Sequence, residues 1–281
     1  MASTITELID IQPDVKIHAV ISQPPEPLRQ SGLPTVVFLH FWGGSSRTWS
    51  LVNPLVSARY PTVALDFRGW GDSTGPDDAA AYSIAVLAAD VEAAIAALGL
   101  GDVVLVGISM GAKVAQLVAG AASGRDREAP LRGVVLVSPA PPTPLSLPPE
   151  MREQQIHAYD GAESATFVAQ NVLTASFRSR ELPGFIVEDM LRGNRWAKEA
   201  WPAYAMAEDV SEEARRIVAP VLVLAAEEDV VEPLERVQRE VCARIPGARL
   251  AVLAGSGHLS PLDASDVVAE HLLRFLGELI S

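Results

Sequence analysis

The sequence predicts an α/β fold in which strands and helices alternate around a mostly parallel sheet. Short apolar runs rich in β-branched residues recur along the chain, and longer segments with helical periodicity separate them. Alternation of this kind is typical of a parallel sheet covered by helices. The chain has 281 residues, 49% of them hydrophobic, which suits one large core or a core with a small insertion.

The chain opens with a predicted β-hairpin, because apolar and polar residues alternate over 5–21 around Gln12, Pro13 and Asp14. Buried strands and amphipathic helices then alternate until a proline-rich stretch begins at Pro139. The predicted strands of this part are 35–39, 62–65, 103–106 and 133–137, and its predicted helices are 49–59, 82–98 and 112–122.

Residues 141–205 interrupt this alternation with prolines followed by short helical patterns rich in aromatic residues. We expect this segment to form a helical cap over a core made of 1–140 and 206–281. A packing domain whose aromatic residues form its own core is the alternative. After the cap we predict strands at 221–224 and 249–253 and helices at 233–245 and 263–280. The aromatic residues on which this expectation rests are Phe167, Phe177, Phe185, Trp196, Trp201 and Tyr204.

Composition and charge narrow the class of partner. A formal net charge of −13 argues against nucleic acid, whose phosphates need clustered lysines and arginines. The N-terminal stretch lacks a basic segment and an apolar run, and no later stretch is apolar for long enough to span a bilayer. We therefore expect a cytoplasmic protein that acts on a small molecule, without a membrane partner. Its oligomeric state stays open.

The sequence Gly107-Ile108-Ser109-Met110-Gly111 lies where a buried strand runs into a helix. Side chains at the two glycine positions would collide with the adjoining strand or helix, and the serine is expected in a strained conformation that exposes its hydroxyl. The Met110 amide, at a helix N-terminus, would face negative charge on a substrate oxygen. Short motifs recur by chance, so an ordinary serine remains the alternative at this point.

Two later loops supply groups that could activate this serine. Asp229 follows the predicted strand 221–224, and His258 follows the predicted strand 249–253. The carboxyl ends of parallel strands share one edge of the sheet, where ligands and catalytic groups gather. A histidine can accept the serine proton, and a carboxylate can fix the tautomer of that histidine.

Each of these residues also has an ordinary structural explanation. Asp229 belongs to an acidic run with Glu227 and Glu228, and such runs usually face solvent, while His258 alone could be a surface residue. The order serine, carboxylate, histidine, each at the end of a core strand, favours a catalytic triad of Ser109, Asp229 and His258. The histidines that do not follow a core strand are His18, His157 and His271.

Together these motifs resemble the α/β-hydrolase superfamily over nearly the full chain. The resemblance implies a mostly parallel eight-stranded sheet with helices on both faces and a cap inserted after the sixth strand. It also implies Ser109 as nucleophile, His258 as base and Asp229 as the acid that orients the base, with no metal and no organic cofactor. The family's other position for the acid holds Ser138-Pro139 here. The further loops that carry the resemblance are His40-Phe41-Trp42-Gly43-Gly44 and Asp66-Phe67-Arg68-Gly69-Trp70-Gly71.

The loop after the strand 35–39 departs from the family pattern, because Phe41 stands where a glycine commonly follows the histidine. By position, the resemblance implies that the Trp42 amide joins that of Met110 in an oxyanion hole, with Phe41 as the second choice. The residues expected to contact substrate are Phe41, His40, Trp201 and Tyr204.

Other residues of these motifs are expected to have structural roles. His40 lies beside glycines, which favours bracing of the loop over catalysis as a base. We interpret Asp66 and Arg68 as structural, and we expect Lys113 to contact solvent or the cap.

The resemblance implies a serine hydrolase that cleaves an ester-type bond of a small, apolar or aromatic substrate through an acyl-enzyme on Ser109. A serine nucleophile argues against the dehalogenase and epoxide hydrolase branches, which use aspartate. The Ser-Met pair is similar to that of small esterases and cofactor-free perhydrolases. A C–C bond hydrolase or lyase with the same triad is one alternative, and a ligand-binding receptor with a residual triad is another.

Overall fold

The computed structural model describes residues 2–123 and 131–280, and within them eight strands form one sheet. The strands are β1 (Ser3–Gln12), β2 (Val15–Gln23), β3 (Thr35–Leu39), β4 (Thr62–Leu65), β5 (Val103–Ile108), β6 (Leu131–Val137), β7 (Val221–Ala226) and β8 (Arg249–Leu253). Their order in the sheet is β1-β2-β4-β3-β5-β6-β7-β8. β2 is antiparallel to both β1 and β4, and the other pairs are parallel. The predicted mostly parallel eight-stranded sheet is therefore confirmed.

Helices connect the strands and cover the sheet. They are α1 (Asn53–Ser57), α2 (Ile84–Ala97), α3 (Met110–Ala122), α4 (Pro149–Ile156), α5 (Ala162–Val168), α6 (Gly184–Arg192), α7 (Arg195–Ala203), α8 (Ser211–Arg215), α9 (Leu234–Arg236), α10 (Ser260–Asp263) and α11 (Ser265–Ile280). Every residue of β5 and β7 is buried, so both faces of the central sheet are covered. β1 differs, because most of its residues are exposed at the edge of the sheet.

Two predicted helices are shorter than expected. The helix predicted over 49–59 is a short turn, Ser46–Trp49, followed by α1. Trp49 is fully buried against Phe38, with ring centroids 4.8 Å apart, so packing rather than helical continuity decides its position. The helix predicted over 233–245 is α9 followed by a wider π-helical turn, Val237–Cys242.

The segment between β6 and β7 carries α4 to α7 and packs over the loops that follow β3 and β4. Its Asn194 N–H donates a hydrogen bond of 2.8 Å to the Gly69 carbonyl. The Asp189 carboxylate in α6 pairs with Arg47 and accepts a hydrogen bond of 2.7 Å from the Ser45 hydroxyl. We call residues 141–205 the insertion. Its polar contacts are with the loops at the carboxyl edge of the sheet.

Lys113 lies in α3, which we call the serine helix because it follows Ser109. It joins this helix to the start of the insertion and to the residue directly after its end. Its ammonium donates hydrogen bonds to the carbonyls of Thr143, at 3.2 Å, and Met206, at 2.9 Å. The side chain is fully buried, so of the two expected contacts, with solvent or with residues 141–205, the structure has the second. Burial lowers the pKa of Lys113 to about 8.

In the part of the chain that the structure describes, no helix has the combination of length and apolar character needed to cross a bilayer.

Candidate active site

Ser109 lies at a sharp turn between β5 and α3. Its backbone has φ 54° and ψ −116°, a left-handed φ that confirms the strained conformation expected from the sequence. A Cβ at Gly107 would meet the main chain of Gly111, and one at Gly111 would lie 2.5 Å from the His40 carbonyl oxygen. The two glycines are therefore required by close backbone packing, as the motif predicts. The Ser109 side chain is 8% exposed.

Two main-chain N–H groups, of Met110 and Trp42, lie in the loops at the carboxyl edge of the sheet. Met110 begins α3, where the first amides of a helix have no acceptor within the helix. Trp42 lies in the loop after β3. Within residues 2–123 and 131–280, neither N–H donates a hydrogen bond. Such donors can bind an oxygen that becomes negatively charged.

His40 holds the loop after β3 against the loop after β4. Its Nδ1 lies 2.6 Å from the Phe41 carbonyl oxygen, and its Nε2 accepts a hydrogen bond of 3.0 Å from the Phe67 N–H. Complete burial lowers the pKa of His40 to about 4, so the ring is neutral and Nδ1 carries the proton. Both nitrogens are occupied by main chain, which agrees with a bracing role.

Asp229 and His258 are brought together in the interior. The His258 Nδ1 lies 2.8 Å from Asp229 Oδ2, and the two side chains are 2% and 0% exposed. The other oxygen, Asp229 Oδ1, accepts hydrogen bonds from the N–H groups of Val231, at 2.8 Å, and Glu232, at 2.9 Å. These two amides fix the carboxylate, and the carboxylate fixes the imidazole ring. Asp229 is therefore buried rather than part of a solvated acidic run.

The charge environment of His258 includes a carboxyl group that the sequence did not single out. Burial lowers the pKa of His258, but the charge and the hydrogen bond of Asp229, with a contribution from Glu232, raise it above its usual value. Glu232 is itself buried, and desolvation raises the pKa of its carboxyl to about 7. Its side chain is paired with Arg236 at 3.4 Å. In the sequence it is one of several acidic residues, and only burial distinguishes it.

Ser109 lies two strands away from Asp229 at the same edge of the sheet, since β6 separates β5 from β7. The Ala140 N–H, after β6, donates a hydrogen bond of 3.3 Å to the Ser109 carbonyl. Among the described side chains, no hydrogen bond joins the Ser109 hydroxyl to His258. The structure therefore pairs Asp229 with His258, and among the described residues the serine hydroxyl has no hydrogen-bond partner.

The residues expected to contact substrate lie in several environments. Phe41 and Trp201 are buried, at 3% and 5% exposure. The Tyr204 hydroxyl donates a hydrogen bond of 2.8 Å to the Ala79 carbonyl and accepts one of 3.2 Å from the Tyr82 N–H. Their contact with substrate stays a prediction.

Asp66 and Arg68 are tied to neighbouring loops, in keeping with a structural role. Arg68 forms two hydrogen bonds of 2.6 Å with the buried Asp90. Asp66 accepts hydrogen bonds from the N–H groups of Ser46 and Asp72, at 2.5 and 2.9 Å.

One cluster has atoms that could hold a metal ion, formed by His18, Asp66 and Asp72 within 4.8 Å of one another. His18 Nδ1 lies 2.8 Å from Asp66 Oδ2, and Asp72 pairs with Arg192. These groups satisfy one another, and nothing in their arrangement points to an ion.

The chain is similar to known proteins over most of its length. A protein of Klebsiella pneumoniae, provisionally named carbamate hydrolase RutD, is 28% identical over 248 residues, covering 84% of this chain and 88% of that protein. A non-heme haloperoxidase of Rhodococcus erythropolis is 28% identical over 262 residues, covering 88% of this chain and 93% of that protein.

A solved structure shares the fold. It is an esterase from Exiguobacterium antarcticum, at a TM-score of 0.82 and 20% identity, covering 97% of this chain and all of that one. The sequence also matches the model of the alpha/beta hydrolase family over residues 36–271. Since that match includes the serine turn, β7, β8 and the loops after them, the chain belongs to the alpha/beta hydrolase family.

Proposed function

We propose that the protein is a serine hydrolase that cleaves an ester-type bond of a small substrate through an acyl-enzyme on Ser109. The observation that carries this proposal is the buried 2.8 Å contact between His258 and Asp229, at the same sheet edge as the strained serine turn. The buried Asp229 carboxylate fixes the tautomer of this imidazole and raises its pKa, which suits His258 to accept a proton from the serine at the same sheet edge.

In the first step, the Ser109 Oγ attacks the carbonyl carbon of the ester while His258 Nε2 takes the hydroxyl proton. The carbonyl oxygen becomes an oxyanion and is stabilised by the N–H groups of Met110 and Trp42. Asp229 stabilises the imidazolium and holds its tautomer. When the carbon–oxygen bond to the leaving alcohol breaks, His258 returns the proton to that alcohol and the acyl group remains on Ser109.

In the second step, water takes the place of the alcohol. His258 removes a proton from the water, whose oxygen attacks the acyl carbon and forms a second oxyanion on the same two amides. The bond to Ser109 Oγ breaks, the serine recovers its proton from His258, and the carboxylic acid leaves. The two steps need no group beyond the side chains and amides named.

The insertion supports a small, apolar or aromatic substrate. We infer that residues 141–205 act as a cap, because their contacts are with the loops at the edge of the sheet where Ser109 lies. The side chains of Trp42, Trp70 and Tyr159 pack together beside this edge, with ring centroids 4.3 and 6.5 Å from that of Tyr159. Such surroundings favour apolar groups over charged ones.

Hydrolysis of short and medium nitrophenyl esters tests this proposal, with wild type, Ser109→Ala and the exposed control Ser50→Ala. We expect turnover by wild type and the control, and a loss of about 10⁴-fold or more in Ser109→Ala. A serine-directed phosphonate, followed by peptide mass spectrometry, should label Ser109 alone.

Two results would contradict the ester proposal in different ways. Labelling of Ser109 without cleavage of any ester would redirect the search to diketones and other C–C substrates. Absence of both labelling and turnover would leave a ligand-binding protein, to be tested by a ligand-induced shift in melting temperature that survives Ser109→Ala.

A further inference from the structure

The insertion supplies a hydrogen bond to the loop that carries the Trp42 amide. Tyr159 lies between α4 and α5 and is 5% exposed. Its hydroxyl donates a hydrogen bond of 2.8 Å to the carbonyl oxygen of Trp42. The two rings also pack together, with centroids 4.3 Å apart and planes at 34°. The Tyr159 side chain therefore contacts both the main chain and the indole ring of Trp42.

The loop is shaped to receive this tyrosine. Gly43 follows Trp42 with φ +99°, a backbone conformation that other residues rarely adopt. A Cβ at Gly43 would lie 2.5 Å from the Tyr159 ring and from its hydroxyl oxygen. The tyrosine thus occupies the space that a side chain at this position would need, and ring and backbone are in direct contact.

Two consecutive peptide groups flank the Cα of Trp42, and each has a fixed carbonyl. The first joins Phe41 to Trp42 and carries the Trp42 N–H. Its carbonyl oxygen, on Phe41, accepts hydrogen bonds from His40 Nδ1 at 2.6 Å and from the Gly44 N–H at 3.0 Å. The second joins Trp42 to Gly43, and Tyr159 holds its carbonyl. Because the Trp42 Cα lies in the plane of the first peptide group, the Tyr159 bond, which restrains this Cα from its other side, also limits the direction of the Trp42 N–H.

The hydroxyl of Tyr159 is suited to act as a permanent donor. Burial raises the pKa of Tyr159 far above its usual range, so the hydroxyl keeps its proton at neutral and mildly alkaline pH. The side chain of Trp42 is anchored on the same segment, because its Nε1 donates a hydrogen bond of 3.1 Å to the Lys198 carbonyl in α7. The insertion therefore holds Trp42 at two points.

We propose that Tyr159 is a positioning residue for oxyanion stabilisation, which orients the Trp42 amide when the insertion is packed on the sheet. The inference rests on the proposed function, since it assigns the Trp42 N–H to the oxyanion of the ester reaction. It adds that, of the two oxyanion donors, the Trp42 amide is fully oriented only when Tyr159 of the insertion holds its loop.

Tyr159→Phe removes the hydroxyl and keeps the ring, which makes it the direct test. We expect kcat for a nitrophenyl ester to fall about tenfold, less than the hundredfold or more for complete loss of a donor, because the amide remains present but is less well oriented. KM should stay close to the wild-type value, because the donor acts in the transition state rather than in the bound ester.

A second readout separates positioning from a general loosening of the insertion. A thionoester places sulfur where the ester places its carbonyl oxygen, and sulfur is the weaker hydrogen-bond acceptor. The ratio of kcat/KM for the ester to that for the matching thionoester therefore reports on the oxyanion donors. We expect this ratio to shrink in Tyr159→Phe. A ratio measured on one preparation does not depend on the fraction of folded enzyme.

The matched control is Tyr82→Phe, which removes a hydroxyl that donates a hydrogen bond of 2.7 Å to the Pro76 carbonyl and accepts one of 2.7 Å from Asn194 of the insertion. The bond to the Pro76 carbonyl has the same chemistry but lies away from the Trp42 loop, so kcat and the ester preference should stay at wild-type values. Melting temperatures of both variants show how much each lost bond affects stability.

The outcomes distinguish the inference from the proposed function. If wild type hydrolyses esters and Tyr159→Phe keeps the wild-type kcat and ester preference, the inference is overturned and the proposed function stands. A rise in KM alone, with the ester preference unchanged, also overturns it and assigns Tyr159 to packing of the insertion. If wild type cleaves neither ester nor thionoester, the proposed function fails and the inference fails with it.

Discussion

The serine turn and the loop after β3 each contain one amide that has no hydrogen-bond partner among the described residues, but they are held in place differently. At the serine turn the Ser109 carbonyl accepts main-chain hydrogen bonds, from the N–H groups of Ala112 and, after β6, Ala140, at 3.0 and 3.3 Å. The loop with Trp42 has local hydrogen bonds too, and in addition the Tyr159 hydroxyl, at a sequence separation of 117 residues, holds its carbonyl. One donor thus lies in a turn held by main-chain contacts, and the other lies in a loop that depends in part on a distant side chain.

Because of this difference, the serine turn and the Trp42 loop should respond differently to substitutions elsewhere in the molecule. A locally fixed turn keeps its geometry as long as its helix and strand are folded. A loop held by a distant segment changes when that segment moves, so its donor can follow the position of the insertion. We therefore expect some substitutions to change the geometry of both the serine turn and the Trp42 loop. Others should change only the contact between the insertion and the Trp42 loop.

The largest expected effect comes from Asp229, which holds the imidazole ring of His258. In Asp229→Asn the amide cannot hold the imidazole in the tautomer that accepts the serine proton, and we expect kcat to fall by about 10⁴-fold. Steady-state hydrolysis of a nitrophenyl ester measures this. Glu228→Gln, an exposed neighbour in the same acidic run, is the control and should keep wild-type kcat. A loss of less than tenfold in Asp229→Asn would contradict the assigned role of Asp229.

Gly111→Ala should disturb the two regions together. The added methyl group would lie 2.5 and 2.6 Å from the carbonyl oxygens of His40 and Leu39, which precede the Trp42 loop. Because both contacts are with backbone, we expect a loss of about 3 kcal/mol or more in the free energy of unfolding, measured by urea denaturation.

The control for this substitution is Gly101→Ala, where an added Cβ meets nothing within 4 Å. The control should change the free energy of unfolding by less than about 1 kcal/mol. Equal stability of the two variants would show that the contact between the serine helix and the strand β3 is not tight.

Lys113 connects the serine helix to the ends of the insertion and should give stability a distinctive pH dependence. The folded protein binds this proton less tightly than the unfolded chain, because burial lowers the pKa from 10.5 to about 8. Below about pH 8 the cost of burying the charge is constant, and it is relieved as pH rises towards 10.5. The contribution over that window is on the order of 3 kcal/mol in favour of folding.

Lys113→Met removes this titration, so the difference in unfolding free energy between wild type and variant should grow in favour of wild type from pH 8 to pH 10.5. Urea denaturation at several pH values measures it. Lys16→Met, at an exposed lysine, should leave the pH dependence unchanged. A difference that stays constant over the window would contradict burial of a charged Lys113.

The smallest effect concerns the pH profile of hydrolysis. His258 must be neutral to accept the serine proton, and its pKa is raised, so kcat/KM should fall as pH drops through a value above 6.5. Glu232→Gln removes an anion that raises the pKa of His258, so this limb should move to lower pH. The exposed Glu235→Gln is the control. A shift to higher pH would contradict the assigned electrostatic contribution.

The sequence was sufficient for the features that depend on local pattern. β3, β4 and β8 have the predicted bounds, because apolar runs between turn residues define buried strands. The strained Ser109 and its flanking glycines follow from the packing of one strand against one helix.

Features that depend on tertiary packing could not be predicted in this way. Lys113 is buried because two carbonyls from the ends of the insertion meet its ammonium, and nothing near it in sequence indicates this. Glu232 resembles its acidic neighbours until the fold buries it. Tyr159 is not among the aromatic residues singled out in the insertion, and its contact with Trp42 arises only when the insertion packs on the sheet.

The central claim, a common acyl-enzyme, is tested most directly by partitioning between water and methanol. Several esters with the same acyl group and different leaving alcohols are hydrolysed in dilute methanol, and the ratio of methyl ester to carboxylic acid is measured. If the acyl group is transferred to the protein before water attacks, the ratio is the same for every leaving group. A ratio that varies with the leaving group would show that water attacks the ester directly, and would contradict the acyl-enzyme on Ser109.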